Sequence, residues 1–218
     1  MQFFIDTANL RDIKEATELG IINGVTTNPS LMAKEGIKGE ANILSHYKAI
    51  CQLVDDNVSA EVIATDFSTM VKEGRKLSAI DSKIVVKVPI TKDGLKAINT
   101  LSEDGIRTNC TLVFSAGQAL LAAKAGATFV SPFIGRLDDI SQEGVLLIKQ
   151  LKVIYNNYGF KTRILAASIR HTIHLIQCSE IGVDVATCPL QVFQNLLLHP
   201  LTEIGLSKFL SDHKKNNS

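Results

Sequence analysis

The chain has 218 residues, 45% of them hydrophobic, and its 23 basic and 22 acidic side chains leave a formal net charge of +1. That length and apolar content suit one domain with a sizeable core, and so even a charge balance excludes the long-range field that gathers polyanions, so no nucleic-acid partner is expected. MQFFIDTANLRD meets an acid at Asp6 before any long apolar core and Lys124 interrupts the longest apolar run, so neither a secretory signal nor a membrane partner is expected and the chain reads as cytoplasmic.

Eight short β-branched segments follow one another: 3–6 (FFID), 24–29 (GVTTNP), 60–64 (AEVIA), 84–89 (IVVKVP), 108–114 (TNCTLVF), 128–133 (TFVSPF), 163–168 (RILAAS) and 183–189 (VDVATCP). Stretches such as 11–19, 66–80, 91–105 and 115–126 alternate with them, with apolar residues three and four apart, Ser, Thr or Asp often at the start and Gly at the end. These are helix signals. Strand and helix alternating eight times predict an α/β fold, a (β/α)8 TIM barrel. No linker-like segment breaks the alternation, so one domain over 1–213 is expected. It includes an extra amphipathic C-terminal helix after Pro200, LTEIGLSKFLSDH, whose Leu201, Ile204 and Phe209 need a surface to cover, on this barrel or on a neighbouring subunit's. The polar end KKNNS, 214–218, is expected to be a disordered tail.

Cys51, Cys110, Cys178 and Cys188 are widely spaced with no C-x-x-C pair, so buried thiols are expected. His171 and His174 in RHTIH lack further ligands at a metal-binding spacing, and no metal is expected.

Strand parity sorts the polar residues. Thr26 and Asn28 share a face, Asn109 and Thr111 share one while Cys110 and Leu112 take the other, and Ser131 goes with Phe133. Val86 and Val88 face the helices, which turns Lys87 into the barrel with Asp6, Glu61, Asn109 and Thr111 around it. A single Asn or Thr serves equally well as a turn former or strand-end cap; several near the carboxyl ends of barrel strands fall where such barrels build active sites. A lysine so placed either pairs with a carboxylate as structure or, where desolvation favours the free amine, acts as a nucleophile. With Arg136 and Arg170 at later strand ends, the pattern suggests a phosphorylated polyhydroxy carbonyl substrate and Schiff-base chemistry.

The motifs DTAN, GVTTNPSL, IVVKVPIT, TNCTLVFSAGQA, SPFIGR and LAASIR stand in this order from Asp6 to Arg170, with TCPL later as a weaker match. Together they resemble the transaldolase family in its short form, with the related fructose-6-phosphate aldolases. The resemblance implies that Lys87 forms the Schiff base, that Asp6 is the acid/base at the hydroxyl whose carbon–carbon bond breaks, and that Glu61 and Thr111 handle a catalytic water. It implies that Asn28, Asn109 and Ser131 bind the hydroxyls of a dihydroxyacetone unit with Thr26 in support, and that Arg136, Arg170 and Ser168 bind phosphate. Glu61 and Phe133 stand where the aldolase branch has Gln and Tyr, and Arg170 where it often has Lys, which implies transaldolase. The implied reaction moves a dihydroxyacetone unit from sedoheptulose 7-phosphate to glyceraldehyde 3-phosphate, giving erythrose 4-phosphate and fructose 6-phosphate in the non-oxidative pentose phosphate pathway. The substrates are sugar phosphates and no cofactor is implied. The alternatives are an aldolase releasing free dihydroxyacetone and a silent sugar-phosphate sensor, against which Lys87, Glu61 and Asp6 together argue. The resemblance also implies a homo-oligomer, a pentamer or a decamer.

Overall fold

The computed structural model describes residues 1–216. In chain order the elements are β1 (Gln2–Asp6), α1 (Leu10–Glu18), β2 (Ile22–Thr26), α2 (Pro29–Lys34), α3 (Glu40–Leu53), β3 (Val58–Glu61), α4 (Phe67–Ser78), β4 (Ile84–Pro89), α5 (Lys92–Glu103), β5 (Thr108–Val113), α6 (Ala116–Lys124), β6 (Phe129–Pro132), α7 (Ile134–Asp138), α8 (Gly144–Tyr158), β7 (Arg163–Ala166), α9 (Thr172–Ile181), β8 (Val185–Cys188), α10 (Leu190–Leu197) and α11 (Pro200–Asn216). The eight strands are parallel and close into a barrel in sequence order. The predicted barrel is therefore present, with second helices added after β2, β6 and β8.

The helices start where short polar side chains satisfy their free N–H groups. Asn28 accepts from Leu31 N with Pro29 at the first helical position, Asp66 from Thr69 N, Thr91 from Gly94 N and Ser115 from Gln118 N. Each of these caps follows a barrel strand, so capping also fixes how the chain turns at the carboxyl-end rim.

Two layers of core result. Ile5, Val25, Ala60, Val86, Val88, Cys110 and Val130 pack between strands and helices, while Phe4, Val85, Phe129, Phe133, Leu165 and Val185 fill the barrel interior. Val86 and Val88 on the outer layer leave Lys87 pointing inward, as parity required. Parity fails at Leu112. It was expected on the helix side with Cys110, but it lies at φ 59° and packs against the interior cluster, and Val113 takes the outer position. The β5–β6 register shifts between Cys110 and Val113; a bulge adds one residue and inverts the alternation beyond it. β3 also ends at Glu61, three residues before the expected limit.

All four cysteines are buried and unpaired. Burial pushes Cys51 up to about 11 and Cys110 and Cys178 up to about 12, so none of these three is a thiolate nucleophile near neutral pH.

α11 buries none of its residues against the rest of the chain; Leu201 is 70% and Phe209 71% exposed. It corrects the expected tail at 214–216, because Lys214 and Lys215 continue its last turn, where cations complement the helix dipole. The rest of that tail, residues 217–218, lies outside the described residues. Among the described residues no helix is long and apolar enough to cross a membrane.

Candidate active site

Lys87 stands near the end of β4 and is 5% exposed. A buried ammonium requires replacements for its lost water. Two are present: Nζ lies 3.1 Å from Glu61 Oε2 and donates to the Thr27 carbonyl oxygen at 2.9 Å. Glu61 is the register partner of Lys87 across the β3–β4 ladder, so the pairing of adjacent strands sets this ion pair.

On the other side of the barrel mouth, Asp6 ends β1 beside its register partner Thr26 on β2. Thr26 Oγ1 donates to Asp6 Oδ1 at 2.7 Å and stands 2.6 Å from Thr187 Oγ1. With its one proton given to the carboxylate, Thr26 accepts from Thr187. The two hydroxyls form a relay that orients Asp6.

A third chain of polar groups runs across β3, β5 and β6. Asn109 Nδ2 donates to Ser59 Oγ at 3.2 Å, and Ser131 Oγ donates to Asn109 Oδ1 at 2.7 Å. Asn109 is fully buried, with both ends of its amide engaged. It reaches the site by holding Ser131.

Two clefts meet at Lys87. One, of about 100 Å³, is lined by Asp6, Thr26, Asn28, Lys87, Ser131, Phe133, Arg136, Ala167, Ser168 and Thr187. The other, of about 210 Å³, is lined by Asn28, Pro29, Ser30, Glu61, Lys87, Thr111, Leu112, Phe133 and Arg136. Asn28, Lys87, Phe133 and Arg136 belong to both, so the amine stands between an Asp6 chamber and a Glu61–Thr111 chamber. Asn28 has its Oδ1 committed to Leu31 N at 2.9 Å, which leaves its NH2 as the group a ligand can meet. Thr111 Oγ1 is buried and has no hydrogen-bond partner among the described residues. A buried hydroxyl left so is costly unless a water or ligand completes it.

The rim is cationic. Arg136 lies over the Phe133 ring, its Cζ 4.8 Å from the centroid, and Phe114 meets the same ring edge-on at 5.6 Å. Ser168 sits at φ 57°, a conformation uncommon outside glycine, and its carbonyl accepts from Gly135 N at 3.0 Å. A Cβ on Gly135 would stand 2.4 Å from Ser168 O and 2.8 Å from Arg170 Nε. Glycine is required for this approach.

Of the sequence-predicted residues, Asp6, Thr26, Asn28, Glu61, Lys87, Thr111, Ser131, Phe133, Arg136 and Ser168 converge on the two clefts. Two do not line them. Asn109 lies behind Ser131, and Arg170 turns its guanidinium fork to Asp139, with both NH groups 2.5 Å from the two carboxylate oxygens. Sequence reasoning missed Thr187, Asp139 and the Thr27 carbonyl. Thr187 was within reach, because ATC at the eighth strand end carries the same inward hydroxyl pattern as the second.

The family described as Transaldolase/Fructose-6-phosphate aldolase matches residues 3–217. Among curated relatives, a "Probable transaldolase" of Cytophaga hutchinsonii is 69% identical over 217 residues, covering 100% of both chains. Others with the same description, from Phocaeicola vulgatus and Bacteroides thetaiotaomicron, are 64% and 63% identical with the same coverage. Among solved structures, thiamine phosphate pyrophosphorylase from Pyrococcus furiosus superposes with a TM-score of 0.60 at 16% identity, covering 85% of this chain and 84% of that one. That likeness concerns the barrel alone. On the match across almost its whole length and on relatives this similar, the chain belongs to the transaldolase/fructose-6-phosphate aldolase family.

Proposed function

We propose that the protein is a cytoplasmic transaldolase that carries a dihydroxyacetone unit on Lys87 from sedoheptulose 7-phosphate to glyceraldehyde 3-phosphate, within the non-oxidative pentose phosphate pathway. The observation that carries the reading is the buried Lys87 amine at the junction of two clefts, with a carboxylate in each. Glu61, 3.1 Å away, is the group next to Nζ that can take its proton. The free amine adds to the ketose carbonyl, water leaves, and the protonated imine becomes the electron sink for breaking the adjacent carbon–carbon bond. Asp6, oriented by Thr26, takes the proton from the hydroxyl on the departing carbon, and the aldehyde leaves. The remaining enamine attacks the acceptor aldehyde, and the same steps run backwards to release product.

Glu61 and the unpartnered Thr111 hydroxyl suit the water that forms and hydrolyses the imine. Asn28 and Ser131 face the three-carbon unit, with Asn109 supporting Ser131. Arg136, Ser168 and Arg170 take the phosphate, for which a planar guanidinium fork is suited. Phe133 offers no hydroxyl to protonate the waiting enamine, which favours transfer over release. A coupled assay tests the reading: erythrose 4-phosphate should form from sedoheptulose 7-phosphate and glyceraldehyde 3-phosphate much faster than free dihydroxyacetone is released from fructose 6-phosphate. Release as fast as transfer would replace it with the aldolase reading.

On the same reading, the apolar face of α11, which finds no cover on its own barrel, packs on a neighbouring copy in a pentamer or decamer. A monomer by light scattering at micromolar concentration would contradict this.

A further inference from the structure

We infer that Tyr47, on α3 and outside both clefts, is a positioning residue for Lys87: its phenol ties together the two residues on which the amine rests, through the Glu61 backbone N–H and the Thr27 hydroxyl. The inference depends on reading Lys87 as the Schiff-base lysine. The β2–β3 ladder is short, pairing only Val25 with Val58 and Thr26 with Ser59 before Thr27 N makes a last bond to Ser59 O at 3.3 Å. Thr27, whose carbonyl meets Nζ, makes that last bond, and Glu61, whose carboxylate meets Nζ, lies two residues past Ser59, where the β2–β3 ladder has ended.

Tyr47 Oη stands at this end of the ladder. Glu61 N donates to it at 3.3 Å, and Thr27 Oγ1 stands 3.1 Å from it. Thr27 Oγ1 is also 2.9 Å from Ser59 O, which can only accept. With one proton to give, Thr27 donates to the carbonyl and accepts from the phenol. The chain therefore runs Glu61 N–H to Tyr47 O–H to Thr27 O–H to Ser59 C=O, each donor used once. The ring is 2% exposed, and burial pushes the phenol above its ordinary value of 10.0, so it keeps the proton it donates. Without the hydroxyl, Glu61 N–H loses its acceptor and Thr27 Oγ1 loses its donor, and the link between the two residues that hold Lys87 is lost.

Misplacing a reacting group by a fraction of an ångström costs turnover while substrate contacts survive. Tyr47→Phe should therefore lower kcat about ten-fold, with KM within about two-fold, and slow borohydride-trapped imine formation with fructose 6-phosphate in step with kcat. Thr27→Val should behave alike, and the double variant should lose little more than either single one, because both break one chain. Tyr155→Phe is the control. It removes a buried phenol that donates to Ala119 O at 2.7 Å, away from the site, and should cost comparable stability with kcat unchanged. If the unmodified enzyme labels at Lys87 while Tyr47→Phe keeps kcat and trapping rate within two-fold, the inference is overturned. A loss explained entirely by unfolded protein, with labelled sites turning over normally, overturns it too. Failure of the unmodified enzyme to label at Lys87 at all refutes the underlying reading instead.

Discussion

The floor of the barrel mouth and its rim each hold an ion pair, and the two are built in opposite ways. At the floor, Lys87 and Glu61 stand 3.1 Å apart with side chains 6% and 13% exposed; at the rim, Arg170 and Asp139 approach to 2.5 Å with side chains 51% and 48% exposed. The shorter contact is the weaker commitment. An exposed pair is worth only about 0–1 kcal/mol after solvent screening and side-chain entropy, so Asp139 can yield the Arg170 fork to a competing phosphate. The buried pair cannot part so easily, because either member left alone is a charge stripped of water. Burial, more than distance, separates a fixed chemical group from an exchangeable one.

The largest effect is expected at the floor. Lys87→Met should reduce transfer by on the order of a thousand-fold or more, and by stranding Glu61 it should cost about 3–5 kcal/mol of stability in urea unfolding. Adding Glu61→Gln should recover much of that stability and none of the activity. At the rim, Arg136→Ala should raise KM for phosphorylated substrates about 10- to 100-fold, the loss of one or more charge-assisted bonds, with far less change for unphosphorylated analogues. An equal loss on both substrate classes would mark Arg136 as structural.

Smaller still is the expected effect of freeing Arg170. Asp139→Asn should lower KM for phosphorylated substrates, by no more than about five-fold given the screened pair it removes, and leave kcat nearly unchanged. A raised KM would mean that Asp139 holds Arg170 in its binding position instead of competing for it. His174 and Asp138 form an intermediate case, 2.9 Å apart with side chains 9% and 36% exposed. Burial, and then repulsion from His171, hold His174 below its ordinary 6.5 against the opposing pull of Asp138. Folding thus favours its neutral form. The stability this contributes is complete above pH 6.5 and is lost as pH falls through the lowered folded value. Thermal melts should show the unmodified protein losing more stability between pH 7 and 5 than His174→Gln, by less than about 1 kcal/mol.

The fold and the floor of the site were legible because both follow from two periodicities. Eight β-branched runs gave the barrel, and strand parity turned Lys87, Asp6 and Glu61 inward. Parity says nothing of bulges, and so Leu112 was placed on the wrong side. The rim was less legible. The Arg170–Asp139 contact joins residues 31 apart through two loops, with no repeating pattern to announce it. Tyr47 was invisible for another reason: on an amphipathic helix a buried tyrosine reads as core, and only its hydroxyl, meeting Thr27 and Glu61 from 20 and 14 residues away, distinguishes it.

If Lys87 is the nucleophile, borohydride reduction in the presence of fructose 6-phosphate captures its imine as a stable amine. Digestion and mass mapping should locate a reduced three-carbon adduct on the peptide containing Lys87, at close to one per chain, with activity lost in proportion. An adduct on another lysine, or full activity after reduction with no adduct at Lys87, would contradict the account.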